Sequence, residues 1–122
     1  MHQSVGTLSF RHSALALEVD QGIVDYYYHW LKTNTTGRLN KQLYTAHITI
    51  ISSRESIPKP FISPVLHNKI TFQYSNDIAL HHGYYYLPVQ PHPDFIFIRE
   101  RYNLGPCFDP IKGYHITIAN CK

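Results

Sequence analysis

The chain has 122 residues, of which 43% are hydrophobic and 16% are charged. This composition excludes a disordered tail, and the length suits one domain, residues 1–122, rather than two. The net charge of +3 comes with eleven dispersed Lys and Arg, which excludes a long nucleic-acid-binding track but suits an anionic ligand. No apolar run approaches the roughly 18 residues that span a bilayer, and residues 1–7 lack the features of a signal peptide.

The two cysteines, Cys107 and Cys121, have neither CxxC spacing nor the dense pattern of small secreted proteins. We therefore expect free thiols in a reducing compartment. This expectation favours a cytoplasmic protein.

The first predicted unit begins with a strand from Ser13 to Val19, where apolar residues alternate with small or charged ones. Asp20 is a typical N-cap, and a helix is predicted from there to about Thr33. Apolar positions recur along this helix at Ile23, Tyr27, Trp30 and Leu31. We expect Trp30, on this face, to lie in the core.

The polar residues 33–42 predict a loop, and the β-branched residues from Tyr44 to Ser52 predict a strand. Three prolines in the middle of the chain argue against a regular central element there: Pro58, Pro60 and Pro64. Three strands are predicted next, over Ile70–Tyr74, Ile78–His81 and Tyr84–Val89.

Residues from Phe95 to Leu104 are ambiguous between helix and strand. The spacing of Phe95, Ile98 and Tyr102, with Gly105 behind them, favours a short helix, whereas the run FIFI alone would favour a strand. We predict the helix, followed by a final strand from Tyr114 to Ala119.

The predicted order strand–helix–loop–strand occurs twice, over about residues 13–52 and 84–120. Each unit ends in the same tetrapeptide, His-Ile-Thr-Ile. An internal duplication explains this repeat better than chance does.

Within a strand, side chains two residues apart project from the same face. His47 therefore projects with Thr49, and His115 with Thr117, while the isoleucines between them enter apolar layers. Two imidazoles can act as general base and general acid in phosphodiester hydrolysis, and two hydroxyls can bind the phosphate oxygens. These four residues are the predicted catalytic site.

A single His-x-Thr or His-x-Ser tripeptide is weak evidence, since about one is expected by chance from residue frequencies. His2-Gln3-Ser4 is such an occurrence. Two buried, β-branched core strands with hydrogen-bonded histidines remain an alternative explanation. That alternative gives no reason for Thr to accompany His on the same face twice.

The segments AHITII at 46–51 and YHITIA at 114–119 resemble the paired motifs of the 2H phosphoesterase superfamily. This superfamily includes the LigT-like RNA 2′,3′-cyclic phosphodiesterases. It also includes viral anti-CBASS enzymes that open cyclic oligonucleotide signals. The resemblance implies a bilobed α+β fold in which antiparallel sheets line a central cleft. It also implies metal-independent catalysis by His47, Thr49, His115 and Thr117. The chain is short for this pattern, with a second predicted helix of only about ten residues.

Four further residues are candidates for substrate binding: Arg54, Tyr44, Tyr84 and Tyr86. Arg54 follows the first motif strand and could reach a phosphate, although a solvated loop position explains it equally well. The tyrosines could stack on a nucleobase.

No cofactor and no metal are expected. His81, His82 and His92 are close in sequence to Asp94, but adjacent strand residues face opposite ways and no HxH, HExxH or Cys pair accompanies them.

The sequence thus predicts a metal-independent phosphodiesterase acting on a small nucleotide, and we favour a cyclic oligonucleotide signal of the viral anti-defence type. The alternatives are an RNA 2′,3′-cyclic phosphodiesterase, a non-catalytic nucleotide- or RNA-binding module, and a structural protein with a coincidental repeat. No membrane association and no obligate protein partner are expected. A viral enzyme of this kind would act in the host cytoplasm.

Overall fold

The computed structural model describes residues 1–55 and 67–122, so the expectation for Pro58, Pro60 and Pro64 lies outside the described residues. Within these ranges the protein is α+β, with an eight-stranded antiparallel sheet and two helices. The strands are β1 (His2–Arg11), β2 (Ala14–Glu18), β3 (Asn40–Lys41), β4 (His47–Ile51), β5 (Lys69–Tyr74), β6 (Ala79–His81), β7 (Tyr84–Pro88) and β8 (His115–Asn120). The helices are α1 (Gln21–Asn34) and α2 (Pro93–Glu100), and a 3-10 turn spans Ser53–Glu55.

The strands form one continuous sheet, in the order β5-β1-β2-β4-β8-β7-β6, with β3 also paired to β8. The two strands that contain the His-x-Thr motifs, β4 and β8, are therefore neighbours at the centre of the sheet. A further bridge joins Tyr74, at the end of β5, to Val89, just after β7. Because this bridge connects distant parts of the strand order, the sheet must curl rather than lie flat.

The predicted strand elements correspond to β2, β4, β5, β6, β7 and β8, but β1 and β3 were not predicted. The expectation of a loop over residues 33–42 is wrong at Asn40–Lys41, where two residues pair with β8 as β3. The strand β1 pairs with β2 on one side and with β5 on the other. Gly6 allows this close approach, since a Cβ atom there would lie 2.5 Å from Leu17 Cγ and 2.8 Å from the Glu18 carbonyl oxygen.

The first helix begins as predicted. The Asp20 carboxylate accepts the N–H of Gly22 at 2.9 Å. Val24 and Leu31 are the buried residues of α1. The expectation that Trp30 lies in the core is wrong, because this side chain is 49% exposed. The buried face of the helix is instead the one that contains Val24 and Leu31.

The ambiguous segment is a helix, as predicted, although it spans Pro93–Glu100 and ends before Leu104. His92 is its N-cap, with the imidazole accepting the N–H of Asp94 at 2.9 Å. Phe95 and Ile98 are buried against the sheet.

Both helices contribute to one hydrophobic core, which they share with the isoleucines of β4 and β8 and with Leu15 and Leu17 of β2. The helices therefore cover the isoleucine face of the sheet. No described helix is long and apolar enough to cross a membrane.

One charged side chain, Arg99 of α2, is also part of the interior and is only 2% exposed. It donates hydrogen bonds to both carboxylate oxygens of Glu55, at 2.8 and 2.9 Å, and to the carbonyls of Ile50 and Gly105. Burial raises the pKa of Glu55, but hydrogen bonds from Arg99 and from the Ser52 N–H outweigh it, so the pKa is lowered. This ion pair joins α2 to the end of β4.

Candidate active site

The two motif strands show the alternation that the sequence predicts. Ile48, Ile50, Ile116 and Ile118 are fully buried, whereas His47, Thr49, His115 and Thr117 are half-buried. Because alternate residues face opposite sides of a sheet, the isoleucines point to the helices and the His and Thr residues point away from them.

The register between the strands places the motifs side by side. Ile48 lies opposite Ile116 in the antiparallel pair β4–β8. One residue along each strand, His47 comes level with Thr117, and Thr49 comes level with His115. All four polar side chains therefore share one face at the centre of the sheet.

Both imidazoles are held in the same way. His47 Nδ1 lies 2.7 Å from the carbonyl oxygen of Thr45, and His115 Nδ1 lies 2.8 Å from that of Gly113. A carbonyl can only accept, so Nδ1 carries the proton in each ring. In a neutral imidazole the lone pair is then on Nε2, which is the atom available for proton transfer.

The surroundings of His115 disfavour its charged form. Burial lowers its pKa from the ordinary value of 6.5, and the positive charges of Lys112 and His47 lower it further. The Gly113 carbonyl and Asp109 oppose these effects without cancelling them. His47 is thus close enough to act electrostatically on His115, and His115 is neutral at pH 7.

Two aromatic rings lie beside His115. The Tyr86 ring is 5.4 Å from the imidazole, centre to centre, and the Phe108 ring is 6.1 Å away. The ammonium of Lys112 lies 4.7 Å from the centre of the Tyr84 ring and 5.9 Å from that of Tyr86. The two predicted tyrosines of β7 therefore lie with a cation beside the second motif.

Sequence reasoning missed Lys112. A tight turn fixes its position: the Asp109 carboxylate accepts the N–H groups of Ile111 and Lys112, each at 3.0 Å, and Gly113 has a φ of +64°. The sequence places Lys112 three residues before His115, but loops have no regular periodicity. The spacing therefore did not show where the lysine side chain would point.

A different network surrounds His47. Glu18 lies opposite it on β2, and its carboxylate accepts from Ser9 at 3.0 Å and from the Arg11 guanidinium at 2.9 Å. Arg11 also donates to the Thr45 carbonyl, at 3.1 Å, so that one oxygen accepts from both Arg11 and His47. Arg11 was missed because β1 was missed.

Two predicted binding residues are not brought to the motifs by any described contact. Arg54 is exposed on the 3-10 turn, where its backbone N–H donates to Ser52 Oγ at 3.3 Å. Tyr44 is 49% exposed and packs against His12, with ring centres 5.1 Å apart. Their roles in binding stay predictions.

Among residues 1–55 and 67–122, no three His, Cys, Asp or Glu side chains are grouped so that they could share a metal ion. The expectation that His81 and His82 face opposite ways is wrong, because β6 ends at His81 and His82 has a φ of +48°. Their ring centres are 4.1 Å apart. His92 caps α2, as described above. Cys107 and Cys121 are both free thiols.

No protein family, no curated protein and no solved structure matches this chain. Function is therefore inferred from the central His and Thr residues and from the groups that surround them.

Proposed function

We propose that this protein is a metal-independent phosphodiesterase of the 2H type, which hydrolyses a phosphodiester of a small nucleotide. The supporting observation is the matched pair of imidazoles on neighbouring central strands. Each is tethered through Nδ1 to the carbonyl two residues before it, and each has a threonine two residues after it on the same face. This arrangement directs two Nε2 atoms and two hydroxyls to one side of the sheet.

We propose different roles for the two histidines. His115, whose pKa is lowered by burial, accepts a proton from the attacking water at Nε2 as the new P–O bond forms. His47, as imidazolium, donates its Nε2 proton to the oxygen that leaves as the old P–O bond breaks. The protons then exchange with solvent, which resets both rings.

The remaining polar groups bind the phosphate. Thr49 and Thr117 donate their hydroxyl hydrogens to the non-bridging oxygens, whose negative charge grows in the transition state. Lys112 adds a full positive charge near His115 and Tyr86. The Lys112 ammonium and the two threonine hydroxyls stabilise the negative charge of the phosphate, which many phosphodiesterases achieve with a metal ion.

The two halves are proposed to derive from a duplicated strand–helix–strand unit, with a cleft between two lobes. In favour of this, β2 and β4 flank α1 in the chain and pair with each other, as β7 and β8 do around α2. The halves meet at Ile48 and Ile116, which occupy equivalent positions in the two tetrapeptides.

The proposed substrate is a cyclic oligonucleotide signal, with an RNA 2′,3′-cyclic phosphate end as the alternative. Tyr84, which is half-buried, supplies a flat surface for base stacking beside the proposed phosphate position. Tyr86 is only 9% exposed, so its ring packs beside His115 and offers little surface to a base. Only two described lysines, Lys112 and Lys122, lie over the Tyr84 ring. Together with the modest net charge of +3, this suits a small ligand better than long RNA. We place the enzyme in the cytoplasm, the host's if the protein is viral, in keeping with its two free cysteines.

The test is incubation with cyclic dinucleotides, cyclic trinucleotides and 2′,3′-cyclic nucleotides in the presence of EDTA. Linear products are expected from the wild type, with loss of activity in His47→Ala and in His115→Ala. His29→Ala, which removes an exposed imidazole from α1, is the matched control and retains full activity.

The same assay separates the enzyme from a non-catalytic binding module. Saturable nucleotide binding with every substrate recovered intact would establish the module and reject the enzyme. Activity that requires a divalent cation would reject the proposed mechanism, since neither histidine would then be needed as the acid.

A further inference from the structure

A concave region lies on the helix side of the sheet, away from the His and Thr face. It is a groove of about 1090 Å³ between α1 and the segment that joins β5 to β6. Leu31 and Tyr74, both buried, are among its lining residues. This volume is slightly above the roughly 300–1,000 Å³ typical of small-molecule sites, so it can hold several side chains.

The groove is rich in aromatic surface that remains open to solvent. Trp30 is 49% exposed and Tyr26 is 65% exposed, although both belong to a helix whose other face is buried. Tyr27 contacts Tyr26 edge to face at 4.9 Å. Large exposed aromatic side chains in one concave patch are typical of a binding surface.

The charge of the groove is opposite to that of the whole chain. The protein has a net charge of +3, yet no Lys or Arg among residues 1–55 and 67–122 lines this groove. Two aspartates, Asp20 and Asp77, do line it. Burial raises the pKa of Tyr74, and the nearby charge of Asp20 raises it further, so the field of this carboxylate extends into the groove.

We propose that this groove, formed by Tyr26, Trp30, Tyr74, Asp20 and Asp77, binds a segment of a partner protein in which an arginine or lysine lies between apolar residues. The cation is attracted both by the aromatic faces and by the carboxylates. The apolar neighbours cover Trp30 and Tyr26. A nucleotide is disfavoured here, because its phosphates would meet two aspartates and, among the residues that the structure describes, no Lys or Arg. His2 also lines the groove, and its ring stacks on Tyr74 with the ring centres 5.4 Å apart.

The experiment is a selection of phage-displayed random peptides on the intact protein, with counter-selection on the double variant Trp30→Ala/Asp77→Asn. Both residues are solvent-exposed, so the variant is expected to fold, which its melting temperature verifies. The selected peptides should contain Arg or Lys with apolar neighbours. A selected peptide should bind each single variant about tenfold more weakly than wild type, which is the scale of one cation–π or charge contact.

Phe97→Ala and Glu100→Gln are the matched controls, since they remove an exposed aromatic and an exposed carboxylate from α2, outside the groove, and leave the affinity unchanged. Selection of acidic or neutral peptides, or failure to select any peptide that the double variant loses, would overturn the proposal. So would a homodimer in sedimentation that Trp30→Ala dissociates, because the occupant would then be a second copy. Phosphodiesterase activity is measured in parallel and is expected to be unchanged in these variants, so the two proposals fail independently.

Discussion

The two halves of the central sheet present the same tripeptide in different surroundings. In both, an imidazole donates from Nδ1 to the carbonyl two residues earlier, and an isoleucine fixes the strand in the core. The contact made by His47 is exposed, whereas that made by His115 is partly buried beside two aromatic rings. Backbone geometry thus holds the two rings in the same way, whereas burial lowers the pKa of His115.

The cations of the two halves differ in the same way. Arg11, near His47, is already paired with Glu18 and bonded to the Thr45 carbonyl, so it acts as a structural support. Lys112, near His115, rests over the rings of Tyr84 and Tyr86, where a phosphate oxygen can displace a weak contact. We infer that the second half supplies the charge for binding and the first half supplies the rigid frame.

The largest expected effect comes from removing either imidazole. His47→Ala and His115→Ala should each lower kcat/KM by about 10³-fold, because each deletes one proton transfer, worth about 10²–10⁴ in rate. Steady-state hydrolysis in EDTA, with His29→Ala as control, measures this. A loss confined to one of the two variants would show that the halves do not act as an acid–base pair.

A large effect on stability is expected at Arg99, which has no counterpart in the first half. Arg99→Met leaves Glu55 without its partner and should cost about 3–5 kcal/mol in the free energy of unfolding. Denaturant unfolding measures the loss, and Arg101→Met, which removes an exposed arginine just after the end of α2, is the control. Recovery of stability in Arg99→Met/Glu55→Leu would confirm that the cost is the unpaired carboxylate.

The pH dependence of that stability follows from Glu55. Its pKa is lowered in the folded protein from the ordinary value of 4.5. The ion pair therefore stabilises the fold fully above that value, and the contribution is lost as the pH falls through the lowered pKa. In Arg99→Met this part of the acid sensitivity should disappear.

Most of the core elements could be predicted from the sequence because local patterns defined them. The alternation around His47 and His115 fixed which residues enter the core, and Asp20 marked the start of α1. The strand β1 was missed because its residues do not alternate strictly between apolar and polar and because they include Gly6, which is unusual in a strand. Gly6 is needed because a side chain there would clash with Leu17. Such a contact depends on tertiary pairing, which a local pattern does not contain.

The site was predicted in its centre but not at its edges, for the same reason. His and Thr positions follow from strand periodicity, whereas Lys112 is directed by a turn that Asp109 and Gly113 build. Trp30 shows the opposite error: helical periodicity placed it on the apolar face, yet the sheet buries only its neighbours. Helical periodicity identifies the apolar face of a helix, but it does not show how much of that face the sheet covers.

Lys112→Met should test the charge of the second half. Loss of the cation is expected to lower kcat/KM by about 10- to 100-fold, the scale of one charge-assisted phosphate contact of about 1.5–3 kcal/mol. Since Lys112 lowers the pKa of His115, its removal raises that pKa, and the acidic limb of the rate profile moves to higher pH. Lys41→Met, a cation near Tyr28, should leave both the rate and the limb unchanged; an unmoved limb in Lys112→Met would instead show that His115 is not the base.

The smallest predicted effect separates the two carbonyl tethers. Gly113, which holds His115, has a φ of +64°, whereas Thr45, which holds His47, is not among the residues with positive φ. Gly113→Ala should therefore cost about 1–2 kcal/mol in stability from left-handed backbone strain, although there is open space for the Cβ. Gly113→Asn should cost less, because Asn tolerates this conformation. If kcat recovers together with stability in the Asn variant, the turn acts by aiming the carbonyl at His115. Equal losses in both variants would instead assign the effect to the added side chain rather than to backbone strain.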